Sequence, residues 1–298
     1  IPAMIGGSAD LAPSTKTLIT GSKDFAPPGY EGRNIRFGVR EHSMAAICSG
    51  LALHGGVIPY ASTFLVFYDY MRPAVRLAAL MRLHEVFVFT HDSIGVGEDG
   101  PTHQPAEHIL GLRSVPGLTV IRPADSAEAI EAWRVAIGNH HGPTALVLTR
   151  QNVPQLDRSN GSPAGELARG AYIIRDPATK PSVILLATGS EVSIAVDAAA
   201  LLASKGVAAR VVSLPSWELF DAQPQEYRDY ILPPDIGLRV SIEAGVTIGW
   251  ERYTGPRGKA IGIDSFGHSA PGDELYARLE LTAERVVEEV SYLMKGVN

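Results

Sequence analysis

The stretch Thr90-His91-Asp92-Ser93-Ile94-Gly95-Val96-Gly97-Glu98-Asp99-Gly100-Pro101-Thr102-His103-Gln104-Pro105 gathers two imidazoles and three carboxylates around glycines. Imidazoles and carboxylates can hydrogen-bond hydroxyls and phosphates and pass protons. The glycines let the backbone approach a ligand closely or take positive φ. An apolar run, Val86 to Phe89, directly precedes this stretch and reads as a buried strand. The polar residues therefore form a loop at a strand's C-terminal end, where open α/β sheets place their ligand crevices. Loops this long and this rich in His, Asp and Gly carry function.

Other reactive side chains recur at the same kind of place. Asp10 and Ser14 follow a short strand at Ala3–Ile5, inside Gly6-Gly7-Ser8-Ala9-Asp10-Leu11-Ala12-Pro13-Ser14. Glu41 comes after a strand over Ile35–Val39 and opens a helix that runs to about His54, so its carboxylate sits at the helix N-terminus, where the dipole favours it. Arg150 ends a strand over Thr144–Thr149, where its fork could meet a phosphate. Phe64, Phe67 and Tyr70 recur every three residues along a helix predicted over Phe64–Leu83, capped by Ser62-Thr63 and kinked or restarted at Pro73. That spacing suits either a core stripe or a cofactor wall. Thr188-Gly189-Ser190 is a glycine turn into a helix N-terminus and an anion site in principle, but one glycine is a weak signal and a structural role is expected.

Strands alternating with helices predict an α/β fold of two doubly wound domains, each a mostly parallel sheet flanked by helices. Residues 1–156 form the first domain, and the Ser-, Asn-, Gly- and Pro-rich residues 157–167 mark a linker. Residues 168–298 form the second. Helices are expected over Asp125–Ile137, Glu191–Ser204 and Thr282–Met294. A chain with 45% hydrophobic and 19% charged residues has the composition of a globular protein. Its net charge of −6 and the lack of a basic, aromatic-interleaved cluster argue against nucleic acid. No apolar stretch approaches a membrane span, and one cysteine, Cys48, excludes internal disulfides and suits a reducing cytoplasm.

With these residues in view, the chain closely resembles transketolases over essentially its whole length. The motifs are Gly6-Gly7-Ser8-Ala9-Asp10-Leu11, Gly38-Val39-Arg40-Glu41, Ser62-Thr63-Phe64-Leu65, the Thr90–Pro105 loop and Arg150-Gln151-Asn152. The resemblance implies a pyrimidine-binding thiamin diphosphate domain followed by the family's C-terminal domain. It also implies transfer of a two-carbon ketol unit from a ketose phosphate, such as xylulose 5-phosphate, to an aldose phosphate. Glu41 would hold the pyrimidine ring nitrogen and drive its tautomerisation, Phe64, Phe67 and Tyr70 would flank the ring, and Asp10 would lie near the thiazolium. His103 would act at the donor carbonyl and first hydroxyl, Asp99 would read the second-carbon configuration, and Ser14, His91 and Arg150 would serve the distal phosphate or its approach.

The family's diphosphate and its divalent metal, Mg or Ca, are held by an N-terminal domain through Gly-Asp-Gly and Asn-Asn motifs that this sequence lacks. Gly272-Asp273-Glu274 is the nearest string and has no Asn partner. No metal ligand is therefore assigned here. The chain is expected to supply half of a site completed by a homodimer or by a separate diphosphate-binding domain or subunit, and to be inactive alone. Its start at Ile1, inside the first motif, favours removal of that domain over a split gene. Dihydroxyacetone synthase, a deoxyxylulose-phosphate synthase-like enzyme and a non-catalytic dimerising fragment are the alternatives.

Overall fold

The computed structural model describes residues 1–296. Eleven strands build two sheets. The first holds β1 (Met4–Ser8), β2 (Asn34–Arg36), β3 (Ile58–Phe64), β4 (Val86–Thr90), β5 (Thr119–Ile121) and β6 (Thr144–Val147), in the spatial order β2-β1-β3-β4-β6-β5. All its pairings are parallel. The order reverses between β1 and β3, because β2 is laid to one side of β1 and the later strands to the other. Such a switch point opens a crevice at the carboxyl ends of the strands.

The second sheet holds β7 (Tyr172–Arg175), β8 (Val183–Ala187), β9 (Ala209–Ser213), β10 (Arg239–Ile242) and β11 (Lys259–Ile261), in the order β11-β10-β8-β9-β7. Only its edge strand β7 runs antiparallel. The same reversal places a second switch point between β8 and β10.

Side chains alternate across a strand, and here that alternation divides the core. Val86 and Val88 of β4 share one apolar cluster with Val183, Leu185 and Ala187 of β8, so a single core joins the two sheets. Phe87 and Phe89 of β4 face the opposite way, onto Met44 and Cys48 of the helix Glu41–His54 and onto Met71 and Val75 of the helix Tyr68–Leu80. Each fully buried side chain of this kind contributes about 1.5–3 kcal/mol relative to exposure. Polar contacts reinforce the junction. Arg158 pairs bidentately with Asp125 at 2.7 and 3.0 Å, while Tyr172 and Ser213 each donate to Glu128 at 2.7 Å.

Asp125 caps the helix Ser126–Gly138 by accepting from the Glu128 N–H, and Thr282 does the same for Ala283–Lys295. Ser62 and Thr63 do not cap a helix. Both lie in β3, paired with β1 and β4, because sheet pairing on two sides outweighs the local capping signal. Nor does Pro73 restart the next helix, which runs unbroken from Tyr68 to Leu80. Pro73 lies in its N-terminal half, where a 3-10 turn over Leu65–Phe67 leads in.

Candidate active site

The carboxyl edge of the first sheet collects the reactive residues from five of its strands. Asp10 and Ser14 follow β1, Glu41 follows β2, and Phe64 ends β3. His91, Asp99 and His103 follow β4, and Arg150 follows β6. The backbone is unusual at two of these positions. Asp10 and His91 have φ of 65° and 59°, in the left-handed region that side chains seldom adopt. Such conformations persist only where the surrounding structure enforces them, and they cluster at functional sites.

The three-residue spacing of the aromatic residues acquires a physical meaning here. Phe64 ends β3, Phe67 closes the 3-10 turn Leu65–Phe67 and Tyr70 lies in the first turn of the helix Tyr68–Leu80, so the rings line up across three kinds of backbone. Phe64 and Phe67 are stacked with centroids 5.9 Å apart, and Phe67 and Tyr70 at 6.2 Å. Phe64 is buried and offers one face to the His91 imidazole at 3.6 Å. Phe67 is half-buried, meets His103 edge-on at 5.7 Å and, with the exposed Tyr70, leaves the open part of the wall.

Glu41 stands at the first turn of its helix, 8% exposed, and its carboxylate makes no hydrogen bond or ion pair among the described residues. Asp10, Ser14, Asp99 and Arg150 likewise make no side-chain hydrogen bond there, and all four are exposed. The His103 imidazole bonds only to Thr102 among the described residues, with 3.0 Å between Nδ1 and Oγ1. His91 is buried, and its Nδ1 lies 2.9 Å from Thr90 Oγ1. Burial first, and then the Arg150 charge, lower this imidazole to about 4, with Asp99 pulling the other way and His103 adding to the depression. His91, Asp99, His103 and Arg150 thus share one electrostatic neighbourhood, with His91 neutral at physiological pH. Asp10 and Ser14 lie on the β1 side of the same edge.

The contrast with the next layer is sharp. Arg122 is fully buried. Its Nε donates to Asp92 at 2.8 Å, and its Nη1 donates to the Thr188 carbonyl and Oγ1, each at 3.0 Å, and to Glu191. Arg113 meets Glu243 bidentately at 2.8 and 2.7 Å while lying 4.0 Å over the Trp217 ring. Burial would raise the Glu243 carboxyl, but Arg113 outweighs it with help from Arg122 and Thr188, holding it at about 2. The turn at Thr188-Gly189-Ser190 is therefore filled from within. Glu191 supplies the carboxylate, and a Cβ on Gly189 would fall 2.6 Å from Arg122 Cζ. Arg122, Asp92, Gln104 and Tyr276 were not among the residues singled out from sequence, because their partners lie far along the chain.

A flat heteroaromatic ring fits this edge. It would find an aromatic wall at Phe67 and Tyr70 and, at the start of the helix that follows β2, an unpartnered carboxyl at Glu41 for a ring nitrogen. No group of three or more metal-ligating side chains is found among the described residues, and no described helix is long and apolar enough to cross a membrane.

Comparisons with known proteins give the family and the fold. Residues 1–155 match the family described as transketolase, pyrimidine binding domain, and residues 170–282 match the transketolase-like TK C-terminal domain. A transketolase of Geobacillus stearothermophilus is 52% identical over 296 residues, which cover 99% of this chain and 44% of that protein. A Pichia stipitis transketolase solved with sedoheptulose-7-phosphate superposes with a TM-score of 0.93 at 43% identity, covering 99% of this chain and 44% of that one. A split gene transketolase, described as an inactive beta4 tetramer, superposes with a TM-score of 0.78 at 27% identity, covering 99% of this chain and 93% of that one. The chain thus spans less than half the length of the first two relatives.

Proposed function

Because the chain belongs to the transketolase family, we propose that it supplies the pyrimidine half of a thiamin diphosphate site and the substrate channel for ketol transfer. A two-carbon unit passes from a ketose phosphate such as xylulose 5-phosphate to an aldose phosphate. The observation that carries this reading is the convergence of Glu41, Asp99, His103 and Arg150, without ion-pair partners, on the edge where Phe67 and Tyr70 form a wall. Groups left without internal partners at a switch-point crevice are available to a ligand.

When bound, thiamin diphosphate supplies the carbanion that cleaves and remakes the carbon–carbon bond. Glu41 holds and exchanges a proton at the pyrimidine nitrogen, in a pocket that keeps its carboxyl from other partners. Phe64, Phe67 and Tyr70 orient the ring, stacking contributing roughly 0.5–1.5 kcal/mol per ring pair, and Asp10 borders the thiazolium side. His103 would hydrogen-bond the donor's carbonyl oxygen and first hydroxyl and pass a proton to that oxygen as it becomes an alkoxide, and Asp99 would accept from the hydroxyl on the second carbon of the aldose acceptor. Neutral His91 donates or accepts a hydrogen bond without repelling the cationic Arg150, which with Ser14 takes the distal phosphate.

The diphosphate and its Mg or Ca ion belong to a further domain, supplied by the rest of the polypeptide or by another subunit of a dimer. Exposed Ile47, Leu53, Leu77 and Leu80 on the two helices beside the site suit such pairing. A division into residues 1–156, a linker at 157–167 and residues 168–298 agrees with the sheet boundaries, and the single buried Cys48 suits a cytoplasmic setting. The test combines the chain with a transketolase diphosphate-binding domain, thiamin diphosphate and Mg²⁺, and follows glycolaldehyde transfer from xylulose 5-phosphate. Transfer that needs both parts and disappears in Glu41→Ala is expected. Transfer unchanged in that variant would refute the reading.

A further inference from the structure

By the switch-point rule, the second sheet should hold a ligand between β8 and β10. Its carboxyl edge instead holds side chains of the first domain: Arg122 against Thr188 and Glu191 beyond β8, and Arg113 against Glu243 beyond β10. Glu191 also accepts from the Ala244 N–H at 3.0 Å and from Tyr276 Oη at 2.7 Å. This crevice is a receptor for two arginines.

What Arg122 holds with its other face bears on the site. Its Nε grips Asp92, which adjoins His91. Tyr276 lies 3.3 Å from Ser93 Oγ, one residue further along. Ser269 donates to the Glu98 carbonyl, next to Asp99. Gln104, next to His103, donates through Nε2 to the Gly97 carbonyl at 2.7 Å and to the His268 carbonyl at 2.8 Å. Gly272 and Gly97 pack at the same seam. The second domain thus contacts the chain neighbours of Asp99 and His103 directly, and reaches Asp92, the neighbour of His91, through Arg122 of the first domain, which it holds at Thr188 and Glu191.

We propose that the second domain is the positioning element of the substrate loop, acting through Tyr276, the His268–Ser269 segment and its grip on Arg122 of the first domain to fix where His91, Asp99 and His103 stand. None of these groups is itself one of the candidate substrate residues. Each holds a neighbour whose backbone aims the reactive side chain. The proposal rests on reading the loop as the ketose-phosphate channel.

The test uses Arg122→Lys, Tyr276→Phe and Gln104→Met in the full chain with ring-labelled histidine, followed by NMR titration of His91 and His103. The same variants are then assayed after combination with the diphosphate-binding domain. Positioning predicts shifted ring signals, a displaced His91 titration and a fall in kcat of about 100-fold, the scale of an ångström misplacement, at unchanged thiamin diphosphate affinity. Arg122→Lys risks misfolding, whereas Tyr276→Phe deletes a hydroxyl alone and Gln104→Met exchanges the carboxamide for a thioether of similar length. Ring signals and kcat that stay at wild-type values while thermal stability falls would overturn the proposal, leaving the clamps as mere packing. If the wild-type assembly transfers no ketol unit while the ring signals still shift, the functional reading fails and the positioning stands.

Discussion

His91 lies nearly parallel to Phe64, with ring centroids 3.6 Å apart and planes 20° from coplanar. The stack desolvates the imidazole, and burial with the Arg150 charge lowers it to about 4. In the unfolded chain a histidine titrates near 6.5. Between about pH 6.5 and 4, therefore, the unfolded state takes up a proton that the native state refuses, and stability falls as pH falls through this window. His91→Asn, whose side chain tolerates the positive φ, should flatten that slope in a series of melting temperatures from pH 4 to 7.

Glu85 gives the opposite slope. It is 1% exposed, accepts from Ser49 Oγ at 2.8 Å through one oxygen, and has no partner for the other. Burial raises its carboxyl to about 7 against the lowering effect of Ser49. Its contribution is fully present below the unfolded value, near 4.5, and is lost as pH rises through 7. Glu85→Gln should raise stability at pH 8 by roughly 1–3 kcal/mol and leave it nearly unchanged at pH 4, as read from urea denaturation. Equal effects at both pH values would refute the assignment.

Glu41 separates function from stability. The residue is buried and its carboxylate satisfies no internal donor, so removing it breaks no hydrogen bond or ion pair among the described residues. Glu41→Ala should melt no lower than the wild type, while ketol transfer by the assembled enzyme falls by about 10²–10⁴-fold, the usual worth of a positioned proton-transfer group. A melting point several degrees lower would show that Glu41 supports the fold.

The three aromatic residues should differ although their spacing is uniform. Phe64→Ala opens a buried gap beneath His91 and should cost about 3–5 kcal/mol. Tyr70 is 64% exposed, so Tyr70→Ala should stay within about 0.5 kcal/mol and instead weaken thiamin diphosphate binding in the assembled enzyme. Denaturant titrations of the two variants compare these costs directly.

Much of this site was legible because its signals are local. The Thr90–Pro105 loop announces itself by glycines and ionisable residues after an apolar strand, and Glu41 by its place at a helix start. The helices capped by Asp125 and Thr282 follow from residues three or four apart. What escaped depends on distance along the chain. Arg122 meets Glu191 across 69 residues, and Arg113 meets Glu243 across 130, so nothing near either arginine marks it as buried. Ser62 and Thr63 misled for the converse reason: their local capping pattern was sound, but pairing with β1 and β4 overrode it. The spacing of Phe64, Phe67 and Tyr70 was visible, whereas the succession of strand, 3-10 turn and helix that carries them was not.

The arginine-filled crevice of the second sheet can also be seen as a bound complex whose ligand never leaves. Arg122 is tethered to its receptor by the polypeptide, so its local concentration there is set by the length of chain between them, as in any intramolecular association. Cutting the chain at 157–167 would make that contact bimolecular. Occupancy of the crevice would then depend on how much of each half is present, and the substrate loop would inherit that dependence on concentration.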